Sequence, residues 1–199
     1  MDWTAPPQAL IKDRAALRRH LLAERERWAG GMASDAGWQA VQEAMAGHLR
    51  QVLLMLEPQL LGVYWPIRSE FNAAVALKAD NECARLPLAL PWARRTPREM
   101  EYRRWQGDAP TLLDECGIPS VAGAAVVPDV LLVPCVGYHP QGFRLGYGGG
   151  YFDRWLARHP HVTAVGIAWS GSEVAFEPEA HDLPLMLVVT ERGVVSPGS

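Results

Sequence analysis

Val130-Leu131-Leu132-Val133-Pro134-Cys135-Val136-Gly137-Tyr138-His139-Pro140-Gln141-Gly142-Phe143-Arg144-Leu145-Gly146-Tyr147-Gly148-Gly149-Gly150-Tyr151-Phe152-Asp153-Arg154 is the most informative stretch of the chain. Its first four residues are continuously apolar, the pattern of a strand buried on both faces of a parallel sheet. A Gly-rich segment follows, and Tyr151 to His159 then reads as a helix. Gly146, Gly148, Gly149 and Gly150 let the backbone approach a ligand closely and take up positive φ. Free N–H groups at a helix start favour anions. Arg144 adds a planar charged fork that suits phosphate oxygens. Asp153, one turn later, is placed as a carboxylate that holds a metal between phosphates would be. A structural turn with an ordinary helix-start Asp fits the same residues. Neither G-x-x-x-x-G-K-[ST] nor G-x-G-x-x-G follows the strand, so the P-loop and the dinucleotide fingerprint are both absent.

The rest of the chain extends the strand–loop–helix theme. Gln8 to Trp28 reads as a first helix, with Leu10, Leu17, Leu21 and Trp28 on one stripe and Arg14 and Arg18 one turn apart. Ala29 to Asp35 reads as a break, with Ser34 or Asp35 capping the next helix. That second helix runs to Glu57 before Pro58. Leu60 to Trp65, Leu86 to Leu90 (closed by Pro91), Val162 to Trp169 and Met186 to Thr190 read as strands, and Phe71 to Ala79 as a helix. Met100 to Trp105 reads as an edge strand. Alternating strands and helices predict an α/β fold: a three-layer, Rossmann-like sandwich around a mainly parallel sheet. No linker divides residues 1–199, which predicts one domain.

Composition narrows the function. The 199 residues carry 19 basic and 22 acidic side chains, a formal charge of −3, unlike a general nucleic-acid binder. Cys83, Cys116 and Cys135 form neither a CxxC pair nor an even set, which predicts reduced thiols and a cytoplasmic location. The N-terminus lacks the pattern of a secretory leader. Val121 to Tyr138 is interrupted by Pro128, Asp129 and Pro134, so it reads as a loop and a buried strand, not a membrane span.

Arg144-Leu145-Gly146-Tyr147-Gly148-Gly149-Gly150-Tyr151-Phe152-Asp153 resembles the R-L-G-x-G-x-G-Y-Y-D signature of the 5-formyltetrahydrofolate cyclo-ligase family. Arg14 to Arg18 is similar to that family's K-x-x-L-R, and Tyr64 to Glu70 to its Y-x-P-x-x-x-E. Met100 to Pro119, Asp129 to Pro134, His181-Asp182 and Val188 to Glu191 resemble further segments in order and spacing. The departures are Arg14 for Lys, Tyr138-His139 for F-D, Phe152 for the second Tyr, and Gly149 at a position that is basic in some members.

The resemblance implies an ATP- and Mg²⁺-dependent ring closure of a reduced folate, by phosphorylation of the formyl oxygen and attack by N10. It implies a monomer with no nucleic-acid or membrane partner. It assigns Arg14, Arg18, and Arg144, Leu145, Gly146, Tyr147, Gly148, Gly149, Gly150, Tyr151 and Phe152 to ATP. It assigns Trp65, Glu70 and Tyr147 to Tyr151 to the substrate, Asp153 and Asp182 to the metal, and Arg144 and Tyr151 to catalysis. Read without it, Arg14 and Arg18 fit a solvated helix face, Glu70 a helix cap, Trp65 core, and Asp182 an exposed turn. Two alternatives stand beside the ring closure: a folate- or nucleotide-binding paralogue without turnover, and an ATP-dependent enzyme for another heterocycle.

Overall fold

The computed structural model describes residues 13–32, 36–179 and 182–197. The chain enters through two long helices, α1 (Arg14–Met32) and α2 (Ala36–Leu56). Strand β1 (Leu61–Gly62), helix α3 (Ala73–Ala79) and the hairpin of β2 (Leu88–Arg94) and β3 (Glu99–Trp105) follow. Short strands β4 (Leu112–Leu113), β5 (Pro119–Ser120) and β6 (Ala125–Val126) lead to β7 (Val130–Pro134). Then come β8 (Gly137–Tyr138), β9 (Arg144–Leu145), α4 (Tyr151–Arg158), β10 (Thr163–Ile167), β11 (Leu187–Thr190) and β12 (Gly193–Val195).

Eight strands form one sheet in the order β12-β11-β10-β7-β1-β2-β3-β6. The five central strands are parallel, and antiparallel strands extend both edges. The expected α/β fold with a mainly parallel sheet is therefore present. Side chains alternate across it. Leu61, Val130, Leu132, Val165, Ile167 and Val189 pack with Leu17, Leu21, Met45, Leu49 and Leu77 from α1, α2 and α3. Leu131, Val133, Ala164 and Val188 pack on the opposite face with Trp155 and Leu156 of α4. β7 is buried throughout, as its unbroken apolar run requires.

Four local expectations need correction. The break placed at Ala29 is not there: α1 runs through Gly30 and Gly31 to Met32. Two helical glycines cost about 1 kcal/mol each. Packing of Trp28 against Trp38 and Trp169, with ring centroids 5.4 and 5.2 Å away, holds that end in place. The helix expected over residues 8–12 and the cap expected at Ser34 or Asp35 lie outside the described residues. Pro91 does not end β2, because β1 pairs only with Leu88 and Ala89 and leaves that side of β2 free beyond them. β3 is flanked by β2 and β6 and is not the edge. Glu70 does not cap α3; Asn72 does, accepting the Val75 N–H at 3.1 Å.

The topology places a crevice. From β1 the chain steps to β2 on one side, whereas β7, β10 and β11 follow one another on the other. In open α/β sheets ligands bind where the winding reverses, beyond the carboxyl ends of the strands. Here that point lies between β1 and β7, next to Tyr64, Trp65 and Pro134.

Candidate active site

A cavity of about 540 Å³ opens there. One wall is α1, which presents Arg14 and Arg18. A second is the Gly-rich loop from Gly146 and the start of α4, as far as Asp153. The segment after β1 adds Tyr64, Trp65, Ile67 and Glu70, and β2 and β3 add Pro91, Ala93 and Met100. The 114–118 turn, Glu179 and Asp182 complete the lining. Every expected site residue but one lines this space. The exception is Leu145, whose side chain is fully buried in the core beneath β9.

The loop is shaped by its glycines. Gly148 has φ +87° and Gly150, which precedes the first residue of α4, has φ +63°. Both conformations disfavour a Cβ. A Cβ on Gly148 would also stand 3.6 Å from the Arg18 guanidinium, so the backbone runs against that cation.

The arginines differ in their partners. Arg14 binds Asp182 through Nη1 at 2.7 Å and Nη2 at 3.3 Å, and its Nη1 also donates to the Glu177 carbonyl. Arg144, 5% exposed, donates from Nη2 to Asp153 at 2.5 Å. Arg18 donates from Nε to the Gly146 carbonyl at 2.8 Å and has no carboxylate partner among the described residues. The solvated helix face is thus excluded for Arg14 and Arg18: both turn into the cavity.

In the segment after β1, Glu70 accepts the Ile67 N–H at 2.9 Å and the Tyr147 hydroxyl at 2.7 Å. Burial pushes its carboxyl above the usual range, while these bonds and Arg25 pull it back. Trp65 is half-buried and meets Trp105 edge-on with centroids 6.3 Å apart, leaving its ring on the cavity wall. The Tyr151 hydroxyl donates to the Arg94 carbonyl at 3.1 Å and lies 3.2 Å from Cys116 Sγ.

The donor set suits a magnesium nucleotide. Mg²⁺ keeps several waters and takes one or two carboxylates plus phosphate oxygens. Asp153 and Asp182 are both carboxylates that line the cavity. Asp153 uses one oxygen for Arg144, and its Oδ2 accepts no hydrogen bond among the described residues. Asp182 uses both oxygens, for Arg14 and for the Glu179 N–H. Asp153 is therefore the readier ligand. No cluster of three or more His, Cys, Asp or Glu exists among the described residues, so no all-protein metal cage competes. His181 lies outside the described residues.

Residues 10–191 match the 5-formyltetrahydrofolate cyclo-ligase family. The chain belongs to that family. It is 31% identical over 180 residues to the 5-formyltetrahydrofolate cyclo-ligase of Mycolicibacterium smegmatis, covering 79% of this chain and 88% of that one. It is 25% identical over 156 residues to the cyclo-ligase of Haemophilus influenzae, covering 72% of this chain and 82% of the other. Among solved structures it resembles Aquifex aeolicus 5,10-methenyltetrahydrofolate synthetase with a TM-score of 0.72 and 26% identity, over 94% of this chain and 93% of that one. The synthetase from Mycoplasma pneumoniae, at 22% identity and a TM-score of 0.66 over 89% of this chain and 98% of its own, shares the fold.

Within this cyclo-ligase chain, motif matching passed over several wall residues. Met100, Asp114, Cys116 and Ile118 lie in the segment matched only in outline. Asp114 accepts the N–H groups of Ala93, Cys116 and Ile118 and so fixes the turn beside Tyr151. Arg25 is the other omission. It sits four residues after Leu21 on the buried stripe of α1, and a charge on an apolar stripe was the available signal. No described helix is long and apolar enough to cross a membrane.

Proposed function

We propose that this protein converts 5-formyltetrahydrofolate to 5,10-methenyltetrahydrofolate with MgATP, releasing ADP and phosphate. The observation that carries the reading is one cavity that brings cations and a Gly-rich loop together with an aromatic ring and a carboxylate. A nucleotide's phosphates suit the first set and a flat heterocycle with N–H donors the second.

A formamide carbon is a poor electrophile and its oxygen a poor leaving group. Phosphoryl transfer to the formyl oxygen corrects both: N10 attacks the carbon, the C–O bond breaks and phosphate leaves. Such transfers demand positioning and charge neutralisation more than a protein nucleophile. Arg144 supplies charge at the loop, held in place by Asp153. Arg18 reaches phosphate oxygens with donors its own backbone contact leaves free. Tyr151, its hydroxyl fixed by the Arg94 carbonyl, lines the same cavity. Trp65 packs against the ring, and Glu70 accepts ring N–H donors. Asp153, and with it Asp182, would hold Mg²⁺, whose charge would offset that of the phosphates. We read residues 1–199 as one domain acting as a cytoplasmic monomer.

The test is formation of the methenyl product, followed by its near-ultraviolet absorbance. Product that needs both ATP and Mg²⁺, with ADP formed in equal amount, is the expected result. Folded protein that gives no product overturns the reading; ligand-induced thermal stabilisation without ADP release would then mark a binding protein.

A further inference from the structure

Arg25 has no place in the chemistry above, yet it is costly. It is 1% exposed, in the middle of α1, and no carboxylate pairs with it directly among the described residues. Its Nε has no hydrogen-bond partner. An apolar side chain would fill this stripe without the cost of burying a cation. What Arg25 does hold is Tyr147: Nη2 donates to the hydroxyl at 2.6 Å, with the guanidinium 5.9 Å from the ring centroid. The hydroxyl passes its own proton toward Glu70 Oε1, 2.7 Å away. A second, small cavity of about 10 Å³, the size of one water, lies among Arg25, Tyr64, Glu70, Cys135 and Trp169.

We infer that Arg25 is a positioning residue for the folate side of the cavity: through Tyr147 it aims the Glu70 carboxylate that receives the substrate's ring N–H groups. The inference rests on the reading of Glu70 as a substrate ligand. A hydroxyl that accepts from a guanidinium has one proton left to give, and Glu70 is where it points. The groups facing Glu70 are Arg25 from α1, Tyr147 from the Gly-rich loop, Tyr64 after β1 and Cys135 after β7. Burial pushes Tyr64 up and Cys135 up to about 12, so both stay neutral at physiological pH. Arg25 alone supplies charge to offset the burial of Glu70.

The experiment has a ligand-free arm and a binding arm. Carboxyl ¹³C NMR follows the Glu70 titration (assigned with Glu70→Gln) in wild type, Arg25→Met, Arg25→Lys and Tyr147→Phe. Calorimetry gives the affinity for 5-formyltetrahydrofolate at pH 6 and pH 8. The expected result is a Glu70 midpoint that moves up in Arg25→Met and Tyr147→Phe and partly returns in Arg25→Lys. Folate affinity should fall about tenfold in the first two, more at pH 6 than at pH 8. Tyr147→Phe removes one hydroxyl from a partly exposed ring, so it carries the test even where Arg25→Met does not fold. An unchanged midpoint in Tyr147→Phe overturns the relay whatever the protein binds. A shifted midpoint in a protein that binds no folate keeps the relay and instead removes the cyclo-ligase reading.

Discussion

Arg18 offers the sharpest test of the phosphate end, because it is the cavity arginine with no carboxylate partner among the described residues. Consider Arg18→Met, which keeps most of the stem and removes the fork. The protein loses one bond, from Nε to the Gly146 carbonyl at 2.8 Å. That bond is part-exposed and worth about 1 kcal/mol. Removing one member of the like-charged Arg14/Arg18 pair, one turn apart, returns about 0.2–0.5 kcal/mol. The net cost is under about 1 kcal/mol, so the melting temperature should fall by no more than about 2–4 °C.

Binding should respond much more. A charge-assisted hydrogen bond contributes about 1.5–3 kcal/mol, which is roughly 10- to 150-fold in affinity. The KM for ATP should rise by that factor while the KM for 5-formyltetrahydrofolate stays within about twofold, since Arg18 makes no bond to Trp65 or Glu70, the residues proposed for the folate. ATP-induced thermal stabilisation should fall in parallel, and its salt dependence should weaken. A folded Arg18→Met protein with wild-type ATP affinity would refute the reasoning. So would an equal loss for both substrates, which would make Arg18 a structural support of the loop.

Four further outcomes follow from the same geometry. Asp153→Asn should raise the Mg²⁺ concentration that half-saturates ATP-induced stabilisation by about tenfold or more, whereas Asp182→Asn should chiefly weaken ATP binding by releasing Arg14; thermal-shift titrations in Mg²⁺ and in ATP separate the two. Burial pushes the Cys83 and Cys135 thiols up to about 11 and about 12, so brief iodoacetamide treatment at pH 8 should label Cys116 alone, as mass spectrometry of the peptides would show. The same two thiols stay protonated in the fold where the unfolded chain ionises near 9, so the native state binds more protons and stability falls as pH rises above about 9; denaturant melts at pH 8 and 10 check that sign. Gly62→Ala should destabilise by about 1–3 kcal/mol, because its Cβ would stand 2.6 Å from Leu131 and 2.9 Å from Pro128 in the centre of the sheet; an unchanged urea midpoint would contradict this.

The sequence makes the fold legible where burial is two-sided. Val130 to Val133 has no polar residue to alternate with, and the strand it forms is the buried one beside β1. Paired helices and the Gly-rich strand-to-helix turn are legible for the same reason: their periodicity and φ requirements are local. What stayed hidden depends on partners distant in sequence. Whether Pro91 ends a strand depends on how far β1 reaches alongside it. Whether Gly30 and Gly31 break α1 depends on three tryptophans meeting from three elements. In the site, the motifs locate Arg14, Arg18, Glu70 and Asp153 but not the pairing that distinguishes them. Nothing near Arg14 in sequence announces Asp182, and nothing near Arg25 announces Tyr147.

That pairing changes how the site's charge should be understood. The motifs suggest a basic pocket for an anion, yet the main cavity is lined by three arginines and five carboxylates. Two of the arginines are tied to two of the carboxylates, which spares them the cost of standing buried and unpaired and fixes their direction before any ligand arrives. A polyphosphate entering alone would meet a wall with more negative than positive charge. A divalent cation entering with it offsets that excess and gives the open oxygen of Asp153 a partner. The wall's own charge, independently of the family resemblance, therefore favours a nucleotide that comes with its metal over a bare anion. On that reading Arg18, with no acid paired to it among the described residues, would be the contact through which phosphate is first drawn toward the loop.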